Sequence, residues 1–124
     1  MNNTILHIGL QVSEADLIDF YVEVMGGKIE NSFLLSFVDA ALIFGLEEDI
    51  NAYFIRAEEL VFELFVRNDV LIPSCSHVCF FSENAHEIAA RALEKGYPLY
   101  VRKKYEKETY FIKDSSNNLF EIKS

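Results

Sequence analysis

The stretch VFEL at residues 61–64 decides the fold, because it returns as LFEI at residues 119–122. Each copy sets a glutamate, Glu63 or Glu121, between apolar neighbours in a run that otherwise reads as buried strand. A carboxylate there is costly unless it is paired or coordinated. Working outward, each glutamate follows a strand that carries a histidine: LHIGLQV at 6–12 holds His7, and SHVCFFS at 76–82 holds His77. A shift of 70 residues lays the first half on the second without a gap. His7 then falls on His77, Ile8 on Val78, Ile18 on Ile88, Gly26 on Gly96 and Ile29 on Leu99. A repeat of this kind constrains architecture more than any single element does.

Within each half the order is strand, helix, then three strands. Strand one covers about residues 4–12. Ser13 then caps the run EADLIDFYVEVMGG, whose apolar positions 17, 18, 20, 21 and 24 predict a helix stopped at Gly26-Gly27. ENAHEIAARALEKG gives its counterpart, with apolar positions 85, 88, 89, 92 and 93 and a stop at Gly96. INAYFIRA and LVFELFVR form a hairpin across Glu58-Glu59, and PLYVRKK, ETYFIKD and LFEIKS supply the last three strands. His7 to Glu63 spans 56 residues, whereas His77 to Glu121 spans 44. The excess lies in LLSFVDAALIFGLEED, which reads as a short helix at about 37–45 capped by Ser36, with a strand as the competing reading. NDVLIPSCS at 68–76 joins the halves, with Pro73 as its stiff point.

The 124 residues make a single domain of two modules, 1–67 and 76–124, because the chain is too short for two independent cores. Eleven Phe and six Tyr without Trp suit a β-rich interior. A net charge of −9 argues against general nucleic-acid or anionic-membrane binding, which needs clustered cations. The one basic cluster, VRKKYEK at 101–107, reads as a solvated hairpin. No apolar run is long enough to cross a membrane, and MNNTILHIGL lacks the features of a signal peptide, so a cytoplasmic chain is expected. Cys75 and Cys79 would lie about 13 Å apart along a strand, beyond the roughly 7 Å Cα limit of a disulfide. Cys79 is expected to pack as a small apolar residue on the His77 face, and His86, whose counterpart in the repeat is Asp16, to lie on the surface.

His7, Glu63, His77 and Glu121 occupy equivalent positions in two copies of one module. Pseudo-symmetry brings them together if the sheets face each other across a shared cavity. Two neutral imidazoles and two carboxylates balance a divalent cation, and mixed N/O ligation suits nickel, zinc, manganese, iron or cobalt. A single strand glutamate on the wet face of an antiparallel sheet would need no such partner. The recurrence of both residue types in register favours the ligand reading.

With HIGLQV, DFYVEVMGG, FELF, SHVCF and FEI in this order and spacing, the chain resembles the vicinal oxygen chelate superfamily along nearly its whole length. That superfamily includes glyoxalase I, methylmalonyl-CoA epimerase, extradiol dioxygenases, and fosfomycin and bleomycin resistance proteins. The resemblance implies an α+β fold of two tandem βαβββ modules, with curved mixed sheets around a shared cavity and an extra short helix in the first module. It also implies that His7, Glu63, His77 and Glu121 form the full ligand set of a nickel- or zinc-type glyoxalase I. In that case the chain is a metal-dependent lyase or isomerase acting on a small substrate with vicinal oxygens through an enediolate, with Glu63 or Glu121 as base. An iron-dependent ring-cleaving dioxygenase and a non-catalytic small-molecule-binding protein are the alternatives it leaves open. A homodimer is expected, with the site either within a chain or across two. Gln11 stands where glyoxalase I often has an arginine for glutathione, and DSSNN at 114–118 replaces the usual turn before the last ligand. Asn117 there is suited to the left-handed conformation.

Overall fold

The computed structural model describes residues 3–124. The first module runs β1 (Ile8–Val12), helix α1 (Glu14–Asp16, continued by Leu17–Val22), β2 (Lys28–Leu35), helix α2 (Phe37–Phe44), β3 (Ile50–Ala57) and β4 (Leu60–Val66). The second runs β5 (Val78–Phe81), helix α3 (Ala85–Glu94), β6 (Leu99–Lys104), β7 (Lys107–Lys113) and β8 (Leu119–Lys123). Two four-stranded mixed sheets result, ordered β1-β4-β3-β2 and β5-β8-β7-β6, so the same topology is built twice. In each, the first strand lies parallel to the last, with Gly9 beside Glu63 and Cys79 beside Glu121. The remaining neighbours are antiparallel. Neither sheet closes into a barrel. The expected first strand at 4–12 is shorter than predicted, and both histidines stand one residue ahead of their strands.

Helix α1 starts as one α turn (Glu14–Asp16) and widens into a π-helical stretch (Leu17–Val22). The Ser13 side chain caps it, accepting from the Asp16 N–H at 3.3 Å. Bonds five residues apart, Glu23 N–H to Ile18 O and Met25 N–H to Phe20 O, both 2.9 Å, mark the wider turn. It swings Leu17, Phe20, Tyr21, Val24 and Met25 all onto the buried side. Gly26 (φ 77) and Gly96 (φ 83) end the two long helices at equivalent points of the repeat. At Gly27 a side chain would overlap the Ile55 methyl and the Tyr21 carbonyl oxygen, so the chain can pass only as glycine. For residues 37–45 the helix prevails over the strand. The Ser36 hydroxyl caps the Asp39 N–H at 3.3 Å, and Gly45, at φ 72, closes the C-terminus.

The two modules share one apolar core. Phe20 and Tyr21 of α1 meet Phe62 from the first sheet and Phe120 from the second, with ring centroids 4.9–6.1 Å apart. All four rings are fully buried, and each contributes about 1.5–3 kcal/mol through the area removed from water. Buried carboxylates reinforce the junction. Tyr21 OH donates to Asp114 Oδ2 at 2.7 Å, and Tyr97 OH donates to Asp16 Oδ1 at 2.7 Å. Burial raises the pKa of Asp114 despite hydrogen bonds from Asn118, Tyr21 and Ser116. Tyr21 titrates well above the ordinary range, chiefly through burial and then through the neighbouring Asp114 charge. Asn117 takes φ 65 in the turn before β8, as its residue type suggests. The 101–107 segment is the exposed end of the β6–β7 hairpin. Among the described residues, no helix is long and apolar enough to cross a membrane.

Candidate metal centre

Both candidate ligand pairs form, and they form alike. His7 Nε2 lies 3.2 Å from Glu63 Oε1, and His77 Nε2 lies 3.3 Å from Glu121 Oε1. The histidine side chains are 41% and 42% exposed and the glutamates 16% and 14%, so the two sites are equally sheltered. Each glutamate sits mid-strand beside the first strand of its own module, and each histidine reaches it from just before that strand. The core-facing residues alternate with these, so the ligand-bearing side of each sheet turns away from the joint core. Within one chain the four residues therefore form two pairs. Among the described residues, no three of the His, Cys, Asp or Glu side chains gather as a metal cage.

The spacing itself fits a cation. Two donor atoms bound at about 2.1 Å with right-angled to tetrahedral geometry are separated by about 3.0–3.4 Å. A second observation sharpens this. The Nδ1 of His77 lies 2.9 Å from the carbonyl oxygen of Cys75. A carbonyl can only accept, so Nδ1 carries the proton. In the neutral ring, Nε2 then presents a lone pair to the Glu121 carboxylate, leaving two acceptors face to face. Only an extra proton or a cation between them relieves that contact. A histidine whose far nitrogen donates to a backbone carbonyl is also the usual arrangement for an imidazole bound to a metal. His7 is braced differently, with its ring edge-on to Phe54 at 5.6 Å.

The surroundings of the pairs differ. A pocket of about 480 Å³ opens beside His7 and Glu63, walled by Phe44, Leu46, Ile50 and Phe65 and edged by Gln11 and Arg67. The α2 insertion thus supplies part of its apolar wall. Arg67 is already engaged: Nε donates to Glu48 at 2.7 Å and Nη1 to Gln11 Oε1 at 3.0 Å, while Nη2 lies 3.2 Å from Asp69. Beside Glu121, Lys123 Nζ and Arg102 Nη2 approach Oε2 at 3.4 and 3.9 Å. These two cations escaped the sequence reading, although Lys123, two residues beyond Glu121, had to share its strand face. Cys79 is exposed, which corrects the expectation of a packed residue, and Cys75 and Cys79 are both free thiols. His86 lies at the surface, its Nδ1 3.3 Å from Tyr110 OH. A further pocket of about 390 Å³ lies at the module junction, away from both pairs.

No protein-family model and no curated protein sequence matches the chain. Solved structures do. The fosfomycin resistance protein FosX from Listeria monocytogenes superposes with a TM-score of 0.74 at 18% identity, covering 99% of this chain and 93% of that one. FosX from Mesorhizobium loti gives 0.70 at 15%, covering 99% and 92%. A Glu-to-Gln variant of the Listeria protein, complexed with Mn(II) and dihydroxypropylphosphonic acid, gives 0.72 at 16%, covering 99% and 90%. At these identities the likeness speaks for the fold, and it runs the length of both chains. Duplicated βαβββ modules with a His-Glu pair in each, superposing on FosX from end to end, give this chain the fold of the vicinal oxygen chelate superfamily.

Proposed function

We propose that the protein is a divalent-metal enzyme whose site is completed by a second copy of the chain, His7 and Glu63 of one copy facing His77 and Glu121 of the other. The His77 contact supports this reading: with a proton donated to the Cys75 carbonyl, Nε2 of the neutral ring and Glu121 face each other as two acceptors, a contact that an added proton or a cation relieves. The outward apolar surface supports a second chain. Leu34, Phe37, Val38, Leu42, Ile43 and Phe44 are all exposed, and exposed apolar patches mark interaction surfaces. Mn(II) in the FosX complexes supports a divalent ion in this fold. Nickel and zinc remain the ions favoured by the ligand set, with manganese, iron and cobalt also suited to it.

The reaction class is a lyase or isomerase of the glyoxalase type. A bound divalent cation supplies Lewis acidity toward two adjacent substrate oxygens. The two imidazoles hold fixed positions, since one is tied to a backbone carbonyl and the other packs on Phe54. A carboxylate oxygen of Glu63 or Glu121 takes the proton from the hydroxyl-bearing carbon next to the substrate carbonyl and returns it to the carbonyl carbon. The hydroxyl proton passes to the former carbonyl oxygen, so the two carbons exchange roles with no net change in atoms. The pocket beside Glu63 offers the substrate an apolar wall of Phe44, Leu46, Ile50 and Phe65.

Metal analysis of protein purified without chelator, joined to a screen of α-ketoaldehyde hemithioacetals, tests this reading. One metal per chain in a dimer, with turnover of a hemithioacetal, is expected. A monomer that takes up no Mn(II), Ni(II) or Zn(II) refutes it. The fold comparison supports a second reading, fosfomycin as the substrate, because the FosX neighbours are fosfomycin resistance proteins. The dihydroxypropyl ligand of the FosX complex bears two adjacent oxygens, so it suits the same chelating site. Fosfomycin in the same screen separates the two reactions.

A further inference from the structure

Helices α1 and α3 are each faced by a hairpin turn of the other module, and the two turns differ in length. The β7–β8 turn has five residues, 114–118, whereas the β3–β4 turn has two, Glu58 and Glu59. The longer turn fills its end of the junction. Its Asp114 carboxylate accepts from Tyr21 OH at 2.7 Å, and Ser115 donates to Asp16 through its N–H and its hydroxyl at 2.6 and 3.0 Å. At the other end, the shorter turn leaves the cleft of about 390 Å³ open between α3 and the β3–β4 hairpin.

The 70-residue shift of the repeat lays Tyr21 of α1 on Arg91 of α3. Tyr21 finds its carboxylate in the turn opposite, and Arg91 finds none. Among the described residues, arginine ion pairs are made by Arg56, Arg67 and Arg102, not by Arg91. Arg91 Nε donates to the Val24 carbonyl oxygen at 3.0 Å, which holds the guanidinium at the cleft wall beside Gly26. Met25, Leu60, Phe80 and Ile88 line the cleft with apolar surface. Glu58, Glu59 and Glu83 also border it, and all three are exposed. Glu58 takes φ 54, uncommon for a residue with a side chain, and accepts from Asn84 Nδ2 at 3.1 Å. That bond ties the hairpin to the start of α3.

We propose that this cleft is a second binding site, for a small α-amino acid with an apolar side chain. The Arg91 guanidinium receives the ligand carboxylate, in the place that the Asp114 carboxylate holds against Tyr21 at the other end. The ammonium turns to Glu59 and Glu83, and the side chain packs on Met25, Leu60, Phe80 and Ile88. A simple carboxylate would be repelled by the bordering glutamates, and a simple amine would leave the guanidinium unpaired. A zwitterion satisfies both. The volume falls within the roughly 300–1,000 Å³ of small-molecule pockets. The site lies away from both His–Glu pairs, so it stands whether or not they bind a metal.

Isotope-labelled full-length protein, titrated with leucine and with phenylalanine and followed by backbone amide NMR, tests the proposal. Saturable shifts are expected at Gly26, Glu58, Asn84 and Arg91 with at least one of the two. Leucinamide lacks the carboxylate and N-acetyl-leucine lacks the ammonium. Each should bind about tenfold more weakly than leucine, as loss of a charge-assisted contact predicts. Arg91→Gln should lose a similar factor. Because Arg91 also holds the Val24 carbonyl, a second variant, Glu59→Gln with Glu83→Gln, alters only exposed side chains. It should weaken binding by about threefold or more. Lys95→Gln, on α3 outside the cleft, should leave affinity within about twofold. No saturable shift with either amino acid, or shifts centred on His7 and His77 instead, overturns the proposal. So does undiminished binding in both cleft variants, or leucinamide binding as tightly as leucine. N-acetyl-leucine binding as tightly as leucine also overturns it, and would assign the cleft to a peptide C-terminus.

Discussion

The first and second modules are the same device set in different surroundings. Their His–Glu distances, 3.2 and 3.3 Å, agree, as do the exposures of the four side chains. Everything around them diverges. The first pair opens on an apolar pocket part-built by the inserted helix α2 and has its nearby arginine neutralised. The second pair lacks that insertion and is flanked by two cations. What duplication keeps is the His–Glu spacing. What it lets go is the lining around each pair.

The comparison breaks most visibly at the carboxylates. Glu63→Gln or Glu121→Gln, whichever removes the base, should lower turnover by about 10²–10⁴-fold, the usual worth of a positioned general base. Steady-state kinetics on an identified substrate will read it. A loss confined to one variant assigns the base to that module. Full activity in both removes the carboxylates from the mechanism.

A second break lies in the shared core. Phe62→Ala and Phe120→Ala remove equivalent rings from the two sheets, both fully buried. Each should destabilise the fold by about 3–5 kcal/mol, read by denaturant unfolding. Because Phe62 and Phe120 touch each other, at 5.9 Å between centroids, the double variant should cost less than the sum. Strict additivity would show that the modules do not share their interior.

The smallest effect is the pH dependence of the module junction. Burial raises the pKa of Asp114 in the folded protein. The carboxyl is thus favoured in its protonated form, so its contribution to stability is present below the ordinary value of about 3.9. It is lost as pH rises through the elevated folded value. Unfolding free energies of the wild type should therefore fall, relative to Asp114→Asn, from about pH 4 upward. Parallel curves for the two proteins would contradict this.

Much of this architecture was legible in the sequence, because the repeat fixes element order and the caps fix α2. Ser36 and Gly45 decide for a helix where apolar content alone leaves a strand open. The glutamate positions follow from alternation along β4 and β8. Other features are tertiary and leave no local trace. The π-helical turn of α1 accompanies the packing of five apolar side chains, Leu17, Phe20, Tyr21, Val24 and Met25, on one side of a short helix. The Tyr21–Asp114 bond joins residues 93 positions apart. That the His77 ring donates through Nδ1 depends on where the Cys75 carbonyl lies, which no spacing reveals. Nor does the repeat say which faces meet: it supplies four candidate ligands, and the packing of the shared core turns them outward as two pairs.

The central claim is that the two pairs act together across two chains, and subunit mixing tests it most directly. One variant carries His7→Ala with Glu63→Gln, and the other carries His77→Ala with Glu121→Gln. Each alone should bind no metal. Mixed after partial unfolding and refolding, they form heterodimers in which one site has all four ligands and the other has none. Native mass spectrometry should then find one metal per heterodimer. Heterodimers that remain metal-free, beside a wild type that binds, would contradict a site shared between chains.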